Sequence, residues 1–195
     1  PAAAYETAYL ALQDALACAF EALQDPACNS LLGAVVPGAT MAFGARVPGT
    51  SYQLDPVQAA CNIGTLVGWL DRGDEALSSE CGHLADNLGA ILAVADYRSR
   101  KAIAEGAQPL TVGDLLAALL CAHEHASLEW TRSTRTAQVA SPGRTNPARA
   151  GATARCGLTR VASAAAAALL LGGTEDQCAT AAAFARREST ALASP

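Results

Sequence analysis

The stretch from Pro48 to Ala95 constrains the fold more than any other, because it holds two marked helix starts with a polar loop between them. Asp55-Pro56 opens the first helix. An Asp side chain caps orphan backbone N–H groups, and Pro suits the first helical position because its missing N–H would have no partner there. Val57, Ala60, Cys61, Gly64 and Val67 then fall on one face, and Ile63, Leu66 and Leu70 on a second. A helix apolar over so much of its surface belongs in a core. It runs out at Leu70-Asp71-Arg72-Gly73-Asp74. A second helix starts near Asp86-Asn87, with Leu88, Ile91, Leu92 and Ala95 at the i, i+3, i+4, i+7 spacing. The loop between them carries Asp71, Asp74, Glu75, Glu80 and His83. Functional groups often sit on loops that rigid elements hold in place.

The rest of the chain is punctuated in the same way. The spacing predicts helices over 5–24, 55–71, 87–104, 111–129, 157–171 and 175–190 with no β-sheet, hence an all-α protein. The first helix is amphipathic, with Tyr9, Leu12, Leu16, Ala19, Phe20 and Leu23 as its inner face and Asp25-Pro26 as its stop. Residues 25–50, with Pro26, Pro37 and Pro48, read as a long ordered connection. Thr111 to Asp114 forms a capping box with Asp in place of Glu, and the helix it starts buries Val112, Leu115, Leu116, Leu119 and His123. Leu158 to Leu171 is an alanine-rich helix ending at Gly172-Gly173, and Thr174 to Gln177 is a capping box for the last helix. Residues 131–156 lose every apolar period and read as an irregular or disordered insertion. The expected organisation is a single helical domain over 1–195, incomplete, with that insertion inside it.

Composition narrows the function classes. The chain is 51% hydrophobic but only 5% aromatic, and its alanine content suits helices. A formal charge of −5 with no basic stripe argues against nucleic acid. No apolar run reaches the ~20 residues of a membrane span, and Pro1-Ala2-Ala3-Ala4 lacks the charged start of a signal peptide. The seven cysteines are odd in number and form no CxxC pair, which fits reduced thiols in a cytoplasmic or mitochondrial-matrix protein. Cys121 and His125 share a helix face while His123 points elsewhere, and no further matched ligand pair completes a structural zinc site. No phosphate loop, nucleophile elbow or iron–sulfur cysteine set is present in the sequence.

The run Ala45-Arg46-Val47-Pro48-Gly49-Thr50, Leu54-Asp55-Pro56, Trp69-Leu70-Asp71, Gly82-His83 and Asp86-Asn87-Leu88-Gly89 resembles the MmgE/PrpD family, which includes 2-methylcitrate dehydratases. Leu110-Thr111-Val112 and Ala122-His123-Glu124 continue the resemblance, and Val161-Ala162-Ser163 and Leu171-Gly172-Gly173-Thr174 resume it. It is colinear over nearly all of 5–130 and returns over about 157–182, failing across 131–156. The resemblance implies the N-terminal part of that family's helical domain. It also implies a hydro-lyase that removes water from 2-methylcitrate in propionate catabolism without an iron–sulfur cluster, other cofactor or metal. Decarboxylase and epimerase chemistry also occur among such relatives. The implied partner is a small tricarboxylate substrate, with a homo-oligomer once the fold is completed.

The same resemblance assigns roles. His83 stands where the family has its acid/base histidine, and Asp71 where it has an active-site carboxylate. Read alone, His83 is a loop histidine and Asp71 a carboxylate at a helix C-terminus, where negative charge is unfavourable. Arg155 falls by spacing where the family has a second histidine; Arg155 or Arg160 offers a cation for a carboxylate, or is simply solvated. Lys101, the only lysine, does not match the family's catalytic lysine. The loop departs from the family pattern: Asp74-Glu75-Ala76 replaces Asp-Thr-Trp, and Cys81-Gly82-His83-Leu84-Ala85-Asp86 replaces Trp-Gly-His-Pro-Ser-Asp. Glu75 thus puts a repelling carboxylate where a hydroxyl would meet a tricarboxylate. That change keeps a rival expectation alongside the lyase: a non-catalytic helical remnant serving as an assembly or binding module.

Overall fold

The computed structural model describes residues 2–71, 84–140 and 147–192, with side chains over 2–71, 85–126 and 157–187. Seven α-helices and one very small sheet make up these residues. In order they are α1 (Ala2–Ala22), α2 (Pro26–Ser30), β1 (Ala45–Arg46), β2 (Gln53–Leu54), α3 (Pro56–Gly68), a 3-10 turn (Leu84–Asn87), α4 (Leu88–Ala104), α5 (Val112–Ala140), α6 (Pro147–Leu170) and α7 (Glu175–Leu192). The all-α class holds. No helix of the described residues is long and apolar enough to cross a membrane.

Local chemistry sets the helix starts. Asp55 caps α3 by accepting from the N–H groups of Val57 at 3.0 Å and Gln58 at 3.2 Å. Thr111 and Asp114 form a reciprocal box: the Thr111 N–H donates to Asp114 Oδ2 at 2.8 Å, and the Asp114 N–H donates to Thr111 Oγ1 at 3.2 Å. The Thr111 N–H bond, then a bond from the Thr111 hydroxyl to the same Oδ2 at 2.7 Å, hold the Asp114 carboxyl below its usual range. Thr174 and Gln177 repeat the device at α7. Thr111→Ala removes one half of the box, so thermal unfolding should show a loss of about 0.5–2 kcal/mol. An unchanged midpoint would mean that α5 does not depend on its cap.

Four expectations need correcting. A sheet does exist: Ala45 pairs with Leu54 and Arg46 with Gln53, antiparallel. Pro48 and Gly49 make its turn, with Gly49 at φ 73° and the Thr50 N–H on the Val47 carbonyl at 3.2 Å. A side chain at Gly49 would also strike Leu23 and Phe20 at the end of α1. Second, Asp25-Pro26 not only stops α1 but starts α2, within the stretch read as connection. Third, the inner face of α1 is Ala8, Ala11, Leu12, Ala15, Cys18, Ala19 and Ala22, while Tyr9 and Phe20 are half exposed. Leu12 and Ala19 are buried as expected and Leu16 and Leu23 pack partly buried on the core, but the close-fitting alanines leave Tyr9 and Phe20 outward. Val57 and Val112 are likewise exposed rather than buried. Fourth, where 131–156 reads as irregular, helix continues through 131–140 and resumes at Pro147; residues 141–146 lie outside the described residues. Absence of an apolar period removes the signal for packing, not for helix: Ala, Arg and Gln are good helix formers and Pro suits the first turn.

The core centres on α3 and α4. Ile63, Leu66, Leu88 and Ile91 are at most 1% exposed. The two helices run antiparallel. At one end, Arg100 of α4 donates to Gln53 Oε1 at 2.7 Å and to the Gly44 carbonyl, beside the start of α3. At the other, Gly89 lies against the backbone of Ala60 and Gly64. α1, α5 and α6 pack around this pair.

Candidate active site

The antiparallel pairing decides where the polar loop begins and ends. α3 stops at Gly68, and α4 starts again at the same end of the pair. Asp71 is the last residue described before the loop. It is exposed, and its N–H donates to the Gly68 carbonyl at 3.2 Å. Its φ is 49°, a left-handed conformation that among the described non-glycine residues only Phe43 shares. Asp tolerates this region better than most residues. Such strained positions cluster at functional sites.

Two long-range polar bonds hold the ends of the loop. Before it, Trp69 Nε1 donates to Asp25 Oδ2 at 2.8 Å, tying the end of α3 to the start of α2. The other oxygen of Asp25 accepts from the Ala27 N–H at 2.8 Å and caps α2. The Trp69 bond, then the Ala27 bond, hold the Asp25 carboxyl below its usual range. A lowered carboxylate pKa means that the stabilisation is fully present above the ordinary value and is lost as pH falls through the lowered one. After the loop, Asn87 is only 3% exposed and its Oδ1 accepts from Ser163 Oγ of α6 at 2.8 Å. Ala85 and Leu88 are buried on either side.

His83 falls outside the described residues, so its distance to Asp71 is not part of the geometry. The residue after it opens the 3-10 turn that Asn87 and Ser163 anchor. Arg155 is in the helical backbone of α6, about 12 Å along the axis from Ser163 at 1.5 Å per residue; its side chain is outside the described set. Arg160 is exposed. Lys101 pairs loosely with Glu105 at 3.9 Å, away from the loop on the last turn of α4.

The other described arginines of this region are already engaged. Arg46 grips Asp96 through Nη2 at 2.7 Å and Nε at 3.2 Å, which raises its pKa further, and the Arg46 N–H adds a bond to the same carboxylate. Arg98 donates to the Leu170 carbonyl, and Arg100 to Gly44 and Gln53. Each of these bonds ties α4 to a neighbouring segment.

Sequence reasoning missed Asp25, Asn62 and Ser163. Asp25-Pro26 carried the same start signal as Asp55-Pro56. Asn62 is buried and exchanges two bonds with the Gly33 backbone, at 2.6 and 3.1 Å, fixing the loop after α2 to α3. No local pattern marks an Asn or Ser whose partner is far away in the chain.

A separate cavity of about 300 Å³ lies between α5, α6 and α7, lined by Cys121, His125, Glu175, Cys178 and several alanines. His125 Nε2 is buried there without a hydrogen-bond partner. Among the described residues no three His, Cys, Asp or Glu side chains converge as a metal site. Cys28, Cys61, Cys121 and Cys178 are free thiols.

Comparison with known proteins finds relatives of the chain. The family model for the MmgE/PrpD N-terminal domain matches residues 1–194. The 2-methylcitrate dehydratase of Escherichia coli (strain K12) is 46% identical over 121 residues, which is 62% of this chain and 25% of that protein. The mitochondrial 2-methylcitrate dehydratase of Yarrowia lipolytica is 48% identical over 123 residues, 62% of this chain and 24% of that protein. An alkylcitrate dehydratase from a fungal species is 37% identical over 125 residues, again 62% of this chain and 25% of the relative. The chain spans about a quarter of the length of these curated relatives.

Proposed function

This chain belongs to the MmgE/PrpD family, and from that premise we propose that it is a 2-methylcitrate dehydratase-like hydro-lyase of propionate catabolism. The family match over residues 1–194 is the observation that carries the reading. The reaction removes a proton from a carbon beside a carboxylate; the C–H electron pair forms the C=C bond, and hydroxide leaves from the neighbouring carbon as water. It needs a base, an acid for the departing hydroxide and donors for the carboxylates. In this reading His83 is the acid/base and Asp71 orients it, with the antiparallel α3–α4 pair bringing the two ends of the loop to one side of the fold. Arg155 is the substrate-binding cation. Neither a metal nor another cofactor takes part. The catalytic form is a homo-oligomer, in the cytoplasm of a bacterium or the mitochondrial matrix of a eukaryote.

The test is to incubate purified protein with 2-methylcitrate, citrate and cis-aconitate and follow unsaturated-acid absorbance. Absorbance should rise with 2-methylcitrate. No turnover at high protein concentration would overturn the lyase reading in favour of a helical assembly or binding module. The observation favouring that second reading is Glu75, which stands in the sequence where the family resemblance implies a hydroxyl and would set like charge against a tricarboxylate.

A further inference from the structure

We propose that Asp25 is a positioning residue for Asp71, acting through Trp69. The inference rests on the reading of Asp71 as an active-site carboxylate. Asp25 belongs to a different part of the chain from the loop, 44 positions before Trp69. Its two oxygens are divided between two tasks: Oδ1 caps α2 through Ala27, and Oδ2 receives the indole N–H.

The carboxylate is itself held. The Asn29 N–H donates to the Asp25 carbonyl at 3.0 Å, Asn29 Nδ2 donates back to the Leu23 carbonyl at 2.6 Å, and Cys28 is fully buried. A helix of five residues has little stability of its own, so these contacts set the position of α2 and hence of Asp25. Trp69 is half-buried against the core, and its indole N–H is a donor with one direction to satisfy. Fixing the indole fixes the residue at which α3 ends.

Only Leu70 separates Trp69 from Asp71, and Leu70 is also packed on the core. The backbone then turns left-handed at Asp71. Even for Asp that conformation carries some cost, so the surroundings help to hold it. Asp25 supplies part of that hold, so the place of the Asp71 carboxylate depends on a side chain that never touches it.

Asp25→Ala removes both bonds, whereas Trp69→Phe removes the indole N–H and leaves the α2 cap in place. Amide hydrogen exchange at residues 69–71, read against Ile91 and Ala95 in α4, reports the hold directly. Both variants should speed exchange at 69–71 by about tenfold or more, with Ile91 and Ala95 unchanged. Turnover of 2-methylcitrate should show kcat lower by ~10–100-fold and KM little changed, the signature of a misplaced group rather than lost binding. Unchanged exchange in Trp69→Phe would overturn the proposal, because the effect of Asp25 would then run through α2 alone. Faster exchange with unaltered kcat would overturn the positioning role. A wild-type protein with no turnover sinks the lyase reading instead, and the exchange result still decides whether Asp25 holds Asp71.

Discussion

Gly89→Ala should lower the thermal midpoint, although alanine is the better helix former. A Cβ at residue 89 would stand 2.7 Å from the Ala60 carbonyl oxygen and 3.0 Å from the Gly64 nitrogen. Both are backbone atoms of α3 and cannot rotate away. The helices would have to separate where Ile63, Leu66, Leu88 and Ile91 are sealed from water. Overpacking of this kind costs about 1–3 kcal/mol, occasionally more, against roughly 1 kcal/mol gained from the Gly-to-Ala change in helix propensity. In a chain of this size each kcal/mol moves the midpoint by about 2–4 °C. Gly89→Val, which adds two further methyl groups, should be worse. Gly64 is the internal control: it touches Gly89 through its backbone, but a Cβ of its own would meet nothing within 4 Å. Gly64→Ala should therefore be neutral or stabilising by up to about 1 kcal/mol. Denaturation by calorimetry or circular dichroism decides. A Gly89→Ala protein as stable as the wild type would show that the α3–α4 approach is not close-packed.

The contrast between the two glycines also shows which parts of the fold are legible in the sequence. Caps are local, so Asp55, the Thr111–Asp114 box and the Thr174–Gln177 box announce their helices and the structure uses each of them. Leu88, Ile91 and Ala95 are buried where their spacing puts them. The inner face of α1 was legible only in part: Leu12 and Ala19 are buried as read, but in an alanine-rich helix the partner chooses the face, and Tyr9 and Phe20 go outward. The hairpin at 45–54 was missed because two-residue strands are too short to show alternation. At the candidate site, the polar group ending an apolar helix was visible as Asp71. Its left-handed backbone and the bond from Trp69 to Asp25 were not, because both depend on residues that only the fold brings together.

The last expectation concerns His83. On the proposed reading His83→Ala should lower turnover of 2-methylcitrate by ~10²–10⁴-fold, the usual range for losing a general acid/base, and should change KM less. A carboxylate facing His83 would favour its imidazolium. If Asp71 is that carboxylate, Asp71→Asn removes the favouring charge and the histidine limb of the kcat/KM profile should move to lower pH. If Asp71 lies elsewhere, the limb stays in place while turnover falls only through other causes. Steady-state rates of wild type, His83→Ala and Asp71→Asn across pH 5–9 therefore test role and pairing together. Undiminished turnover in His83→Ala would sink the role. An unmoved limb in Asp71→Asn would sink the pairing and leave Asp71 as a carboxylate whose strained turn serves some other contact.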